Sequence, residues 1–381
     1  MTKVSQDIVL LKSHFDTYGG LEKYSWRIAQ IFAKKNFLVK ILTTGKITPH
    51  FSHPNISFHS FSPLSWPSFY RLENFDYLCQ QWIKENPSKI IFGMDRNSFQ
   101  THLRAGNGSH LAYLHSRNKS DSFLHRSIRF FHPFHRKILS MEKKAFENSK
   151  LKKLITNSHM VKKQILHYYS IDPKKIVVIH NGVEWQEMEK SFFLWKEKKQ
   201  NLLKKFSLPE NVYHFLFIGN GFLRKGLKPL LQACSLIKHL PFHLTVVGKE
   251  KNFKNFIYLK NRLRLQEKVT FFSQRSDIIS FYQYADSLVI PSFYDPFANV
   301  TVEALAMGLF VVSSKTNGGH EVLNEKNGVI IEDIYNIDSI KTSLEIAIKY
   351  PKTTLSAKNI RNNIKYLDFA HQLEKIVSIT L

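Results

Sequence analysis

Two acids with seven residues between them, Asp295 and Glu303, stand in the segment PSFYDPFANVTVEALAMG (Pro291–Gly308). Neighbouring hydroxyls are paired donors and an ionised carboxylate is a strong acceptor, so acids at the start of a loop and on the helix after it suit a polyhydroxyl ligand. A second pair carries the opposite charge: Arg224 and Lys225, in NGFLRKGLKPLL, just before a predicted helix. Two cations beside a helix N-terminus suit a diphosphate. Plainer roles exist for all four. Asp295 followed by Pro296 reads as an N-cap and first helical position, Glu303 as an exposed helix acid, and Arg224 and Lys225 as solvated cations. Position favours the chemical roles, because a loop rich in Phe, Asn and Pro is an odd place for idle surface acids.

Other strand-end loops hold weaker signals. Gly19 and Gly20, in SHFDTYGGLEKYSW, permit a tight turn and close backbone approach before a helix. Arg275, in TFFSQRSD, is placed to lie beside a nucleotide base or on the open surface. GNGFLRKG is neither a P-loop, lacking the following Lys-Ser/Thr, nor a dinucleotide fingerprint.

The elements that would position these residues alternate between short apolar runs and amphipathic stretches, which is the mark of parallel α/β architecture. DIVLLK, FLVKILTT, ISFHSF, SKIIFG, LKKLIT and KKIVVIHNGVE are expected as strands of a first series, with a long helix over 121–149. VYHFLFIG, FHLTVVG, KVTFFS, DSLVIPS and GLFVVSS are expected as strands of a second. The charged stretch MEKSFFLWKEKKQNLLKKF separates the two series. The expected fold is α/β: two Rossmann-like, doubly wound parallel-sheet domains, over 1–190 and 205–355, facing a deep interdomain cleft. Ligands of such sheets sit beyond the carboxyl ends of the strands, which is where the four charged residues fall.

The chain has 381 residues, too many for one ordinary core, with 43% hydrophobic and 22% charged residues. Its two cysteines, Cys79 and Cys234, argue against a disulfide framework or a zinc site. No signal peptide or spanning apolar run is visible, so a cytoplasmic protein, not integral to the membrane, is expected. The net charge of +25 calls for phosphates, nucleic acid or an anionic membrane face, or reflects a Lys-, Asn- and Phe-rich composition. The charge is dispersed and forms no basic tail, which weighs against a nucleic-acid-binding protein.

PSFYDPFANVTVEALAMGLFVV resembles the acid-x7-acid segment of the retaining, nucleotide-sugar-dependent glycosyltransferases of family 4, which have the GT-B fold. YGGLEKY, LITNSHMVKKQIL, KIVVIHNGVE, FIGNGFLRKGL, VVGKE, VTFFSQRSDIISFYQYADSLVIPS and TNGGHEVL match in the family's order over about 300 residues. The subgroup most similar is that of the lipopolysaccharide core glucosyltransferases. The resemblance implies a first domain that binds acceptor, a second that binds donor, and a C-terminal helix at about 360–381 packed back on the first. It assigns Arg224 and Lys225 to the donor diphosphate, with Gly19 and Gly20 facing it and Asn220 and Arg275 bordering the donor. It assigns Glu303 to ribose hydroxyls, Asp295 to the transferred sugar, and the backbone of Phe297, Ala298, Asn299 and Val300 to the phosphates. Asp295, Arg224 and Lys225 would be the catalytic residues.

Asn107, His110 and His115 are candidates for contacts near the sugar, and Arg104 and Arg117 for acceptor phosphates. The implied reaction moves a hexose, glucose from a UDP-linked donor, to a core or lipid-linked oligosaccharide. It needs no cofactor and no metal, as the chain has no Asp-x-Asp triplet. Alternatives are another family 4 transferase with a different sugar, or a GT-B epimerase acting on the donor alone. Two departures bear on the sugar: the first acid is Asp295 where the family has Glu, and Ala298 stands where it has glycine. The basic, aromatic stretch FLHRSIRFFHPFHRK (Phe123–Lys137) is expected against an anionic membrane leaflet, or as a helix packed on the fold and interrupted by Pro133.

Overall fold

The computed structural model describes residues 7–15, 20–44, 47, 52–62, 68–118 and 132–381. They form two compact units, Met1–His180 with Gln372–Leu381, and Asn181–His371.

The first unit is built on a seven-stranded sheet of β1 (Asp7–Leu11), β2 (Leu38–Thr44), β3 (Ile56–Phe61), β4 (Ile90–Gly93), β5 (His102–Arg104), β6 (Lys153–Thr156) and β7 (Ile176–Val178). The order across the sheet is β3-β2-β1-β4-β5-β6-β7, every pair parallel. The second unit has β8 (Tyr213–Ile218), β9 (Phe242–Val247), β10 (Val269–Phe272), β11 (Ser287–Ile290), β12 (Phe310–Ser314) and β13 (Gly328–Ile331). Their order is β10-β9-β8-β11-β12-β13, again all parallel. Strands covered on both faces are continuous apolar runs rather than alternating ones, and every residue of β8, β9 and β11 is buried. In each sheet the chain reverses its winding direction beside the first strand, between β1 and β4 and between β8 and β11. Loops leaving such a pair part from one another and open a crevice at the strand ends.

Several local expectations change. β5 and β13 were not expected as strands: HLR has only three residues, and GVII follows the polar run NEKN. The stretch between the two series is no linker. It forms the helices Trp185–Phe193 and Trp195–Lys205, whose Trp185, Met188, Phe192, Trp195 and Leu203 are buried in the core of the second unit. Periodic apolar residues hidden among lysines thus outweigh the charge, and the division falls at 180/181. Within the expected helix over 121–149, residues 121–131 lie outside the described part. Pro133 does not interrupt the described helix but opens it (Pro133–Phe146), where its missing N–H is no loss. The His132 side chain caps that helix by accepting the Phe134 amide at 3.3 Å.

Candidate functional site

The site grows from the loops after β8 and β11. The first leaves the sheet at Gly219 and runs to Gly226, with Phe222 fully buried beneath it. Gly226 has φ +78°, and a Cβ there would stand 1.8 Å from the Pro291 carbonyl oxygen, so glycine is required for the two loops to touch. The Phe293 amide donates to the Arg224 carbonyl at 2.9 Å, completing the junction. Gly219 lets the aliphatic stem of Lys225 pass close over the backbone, 3.2–3.4 Å from where a Cβ would be.

This packing brings three charges together. Arg224 Nη1 donates to Asp295 Oδ2 and to the Tyr294 carbonyl, each at 2.9 Å, and Lys225 Nζ donates to the same Asp295 oxygen at 2.5 Å. Burial alone would raise the Asp295 carboxyl, but the Lys225 ammonium and the Arg224 guanidinium outweigh it and hold the group below the ordinary carboxylate range. Asp295 is therefore ionised at neutral pH.

The loop holding Asp295 is braced from the next strand. The Asp295 amide donates to the Thr316 carbonyl at 3.0 Å, and the Gly318 amide to the Asp295 carbonyl at 2.9 Å. Asn317, fully buried, accepts the Ala298 and Gly319 amides at 3.1 Å each and donates to Ser313 Oγ at 2.9 Å. The helix Asn299–Ala306 starts there, with Ala298 as its N-cap. Asp295 is thus not the cap of this helix, and Glu303 lies in its second turn. Asn299 and Val300 provide the first helical amides, the natural seat of an anion. The Phe297 and Ala298 side chains are buried and the Ala298 N–H is taken by Asn317, so Ala298 offers a phosphate neither side chain nor amide. Asn181 fixes the Asn299 side chain, donating to its Oδ1 at 2.7 Å. Glu303 is partly exposed, and its Oε2 accepts from Tyr282 Oη at 2.7 Å.

Arg224, Lys225, Asp295, the 297–300 backbone and Glu303 are therefore carried by two adjoining strand-end loops and the helix that follows the second. Asn220 is exposed and accepts the Lys249 amide at 2.9 Å through Oδ1. Arg275 forms a two-pronged pair with Asp277, at 2.8 and 2.9 Å, on the surface. Gly19 lies outside the described residues, and Gly20 opens the helix Gly20–Lys34 of the first unit.

The first unit's candidates are more divided. His110 is buried, with Nε2 3.0 Å from His135 Nδ1. Burial, with Arg96 and His135 nearby, lowers its pKa to about 4, so it is neutral at pH 7. The carboxylate of Glu142, itself fully buried, accepts the His110 amide at 2.8 and 2.9 Å and Tyr169 Oη at 2.6 Å. Arg104 is buried with its guanidinium 3.7 Å from the centre of the Tyr24 ring. It lines a shallow pocket with Arg96, Asn107, Gly108 and Glu142. His115 and Arg117 lie outside that lining, on the exposed end of the helix His110–Asn118. His115 meets Tyr168 Oη at 2.8 Å. Sequence reasoning missed Tyr282, Asn317, Asn181 and Glu142. Asn181, Tyr282 and Asn317 had a signal, as parts of KIVVIHNGVE, VTFFSQRSDIISFYQYADSLVIPS and TNGGHEVL; Glu142 had none.

Residues 18–187 match the family model Glycosyltransferase Family 4, and residues 198–366 the model Glycosyl transferases group 1. With two parallel sheets wound in this order, the chain belongs to the family 4 glycosyltransferases of GT-B fold. It is 23% identical to the lipopolysaccharide glucosyltransferase WaaG of Escherichia coli, over 95% of each chain. The crystal structure of WaaG, described as a glycosyltransferase involved in lipopolysaccharide biosynthesis, superimposes with a TM-score of 0.77 at 21% identity, covering 98% of this chain and 99% of that one. The Anabaena protein HepE, solved with UDP and glucose, gives 0.66 at 16% identity over 97% and 98%. The family makes this chain an enzyme, a glycosyltransferase.

Proposed function

We propose that the chain transfers glucose from UDP-glucose to the saccharide core of a lipopolysaccharide or lipooligosaccharide, with retention at the anomeric carbon. The observation that carries this reading is the convergence of Arg224 and Lys225 on one Asp295 oxygen beside the helix that starts at Asn299. A diphosphate entering there meets two cations and the Asn299 and Val300 amides, while Asp295 and Glu303 accept from sugar and ribose hydroxyls. The UDP and glucose of HepE and the name of the Escherichia coli relative support the choice of donor and acceptor class.

In the proposed chemistry the bond from the anomeric carbon to the β-phosphate oxygen breaks, and the bond to the acceptor oxygen forms on the same face. The acceptor's proton passes to the departing diphosphate. Charge grows on that diphosphate, and Arg224, Lys225 and the helix amides stabilise it in place, with no metal required. Asn107, His110 and Arg104 are proposed on the acceptor side, with Gly19, Gly20, Asn220 and Arg275 around the donor.

The work place is proposed as the cytoplasmic face of the inner membrane, reached by peripheral contact. Among the described residues no helix is long and apolar enough to cross a membrane. The test is a thermal-shift screen of nucleoside diphosphate sugars, followed by transfer to truncated lipopolysaccharide and NMR of the new anomeric linkage. UDP-glucose is expected to give the largest shift and an α-linked product. If Lys225→Ala and Glu303→Ala both leave donor affinity and rate unchanged, the site is wrong. A β-linked product would refute retention, and liposome binding indifferent to salt and anionic lipid would refute the membrane contact.

A further inference from the structure

Tyr282 belongs to the helix Ile278–Tyr284, and its side chain is wholly excluded from solvent. Its hydroxyl donates to Glu303 Oε2 at 2.7 Å. The helix is held in place from elsewhere in the same unit: buried Lys352 Nζ donates to the Tyr282 carbonyl at 3.0 Å, and Gln283 Nε2 to the Ser191 carbonyl at 2.8 Å. Burial and the adjacent Glu303 charge push the Tyr282 hydroxyl well above its ordinary value, so it remains a donor at any working pH.

A carboxylate turns readily about its last bond, which has a broad, nearly two-fold torsional profile. A single donor fixed on one side removes that freedom: with Oε2 held at Tyr282, the second oxygen takes one direction. Such a bond to an ionised acceptor is among the stronger side-chain interactions. Because Glu303 is partly exposed while Tyr282 is not, the tyrosine acts from behind the acid rather than on a ligand.

We propose that Tyr282 is a positioning residue that aims the Glu303 carboxylate at the adjacent hydroxyls of a ribonucleoside diphosphate, so that preference for ribose over 2′-deoxyribose depends on the Tyr282 hydroxyl. This rests on the reading of Glu303 as the ribose acceptor. The test is calorimetric titration of the full chain with UDP and 2′-deoxy-UDP, and with the GDP and ADP pairs, using the pair whose ribose form binds the wild type tightest. Tyr282→Phe keeps the ring and removes the hydroxyl. It is expected to weaken the ribose form roughly 10- to 150-fold and the deoxy form less than about twofold, the spread expected for a bond to a charged group. A merely structural tyrosine would weaken both forms alike or neither.

Glu303→Gln separates the two claims. If it leaves the ribose-to-deoxyribose ratio as in the wild type, or if the wild type binds no diphosphate, the donor reading fails and the inference falls with it. If Glu303→Gln collapses the ratio and Tyr282→Phe does not, Glu303 keeps its role and the inference about Tyr282 is overturned. Should Tyr282→Phe fail to fold, 3-fluorotyrosine incorporated at position 282 keeps the ring and makes a stronger donor. The ratio must then rise, and an unchanged ratio overturns the inference.

Discussion

Replacing Asp295 by Asn tests the charge balance of the site. One carboxylate oxygen of Asp295 serves both Lys225 and Arg224. The Lys225 and Asp295 side chains are each 10% exposed, whereas Arg224 is 38% exposed and can turn to water. Loss of the carboxylate therefore strands chiefly the Lys225 ammonium. Breaking a buried pair costs about 3–5 kcal/mol, and relaxation of the lysine stem brings the expectation to roughly 2–3 kcal/mol. For a unit of this size that is about 5–10 °C in Tm. Lys225→Met strands the carboxylate instead and should cost a similar amount, softened by Arg224. The double variant strands neither, so it should lose at least about 2 kcal/mol less than the sum of the two singles. Saturating UDP should stabilise Asp295→Asn more than the wild type, because the stranded cation regains an anion. Thermal and urea melts of the four proteins, with and without UDP, give the cycle. Additivity within about 0.5 kcal/mol, or equal UDP shifts in wild type and Asp295→Asn, would refute the reasoning.

Acid should unfold the enzyme earlier than its carboxylates alone require. Burial lowers His214 and His243 to about 4 from the ordinary 6.5. Their folded values lie below the unfolded one, so stability is full above about pH 6.5 and falls as pH drops toward 4. The loss is at most about 3 kcal/mol per histidine. Urea midpoints measured from pH 7 to pH 4.5 should decline, less steeply in His243→Gln, and a flat profile would contradict the assignment. Gly226→Ala should drive the loops after β8 and β11 apart, since its Cβ meets the Pro291 carbonyl and its φ is left-handed. Donor affinity is expected to fall more than tenfold with the circular dichroism spectrum kept, and unchanged affinity would show that the junction does not set Arg224.

Much of this was legible in order along the chain. Apolar runs such as VYHFLFIG and DSLVIPS are strands because a sheet covered on both faces needs no polar alternation. Asp295, Glu303, Arg224 and Lys225 stood out because charged residues fell where such strands end. The helices Trp185–Phe193 and Trp195–Lys205 were hidden because lysines dominate their composition while a few large apolar side chains dominate their energy. β5 was hidden because HLR has one apolar residue between two polar ones, and β13 because GVII follows the polar run NEKN, so neither reads as a strand of the kind the other runs announce.

By itself, then, the sequence determined the class of fold and the strand-end placement of Arg224, Lys225 and Asp295, since these depend on residue type and local spacing. The tertiary structure alone decided who meets whom. That Lys225 and Arg224 share one oxygen of Asp295, some 70 positions away, follows from the approach of two loops at Gly226. That Tyr282 stands behind Glu303, and that Asn317 rather than Asp295 receives the Ala298 amide, follows from packing between elements distant in sequence. Such contacts are set by the order of strands in the sheet, which no short stretch of residues encodes.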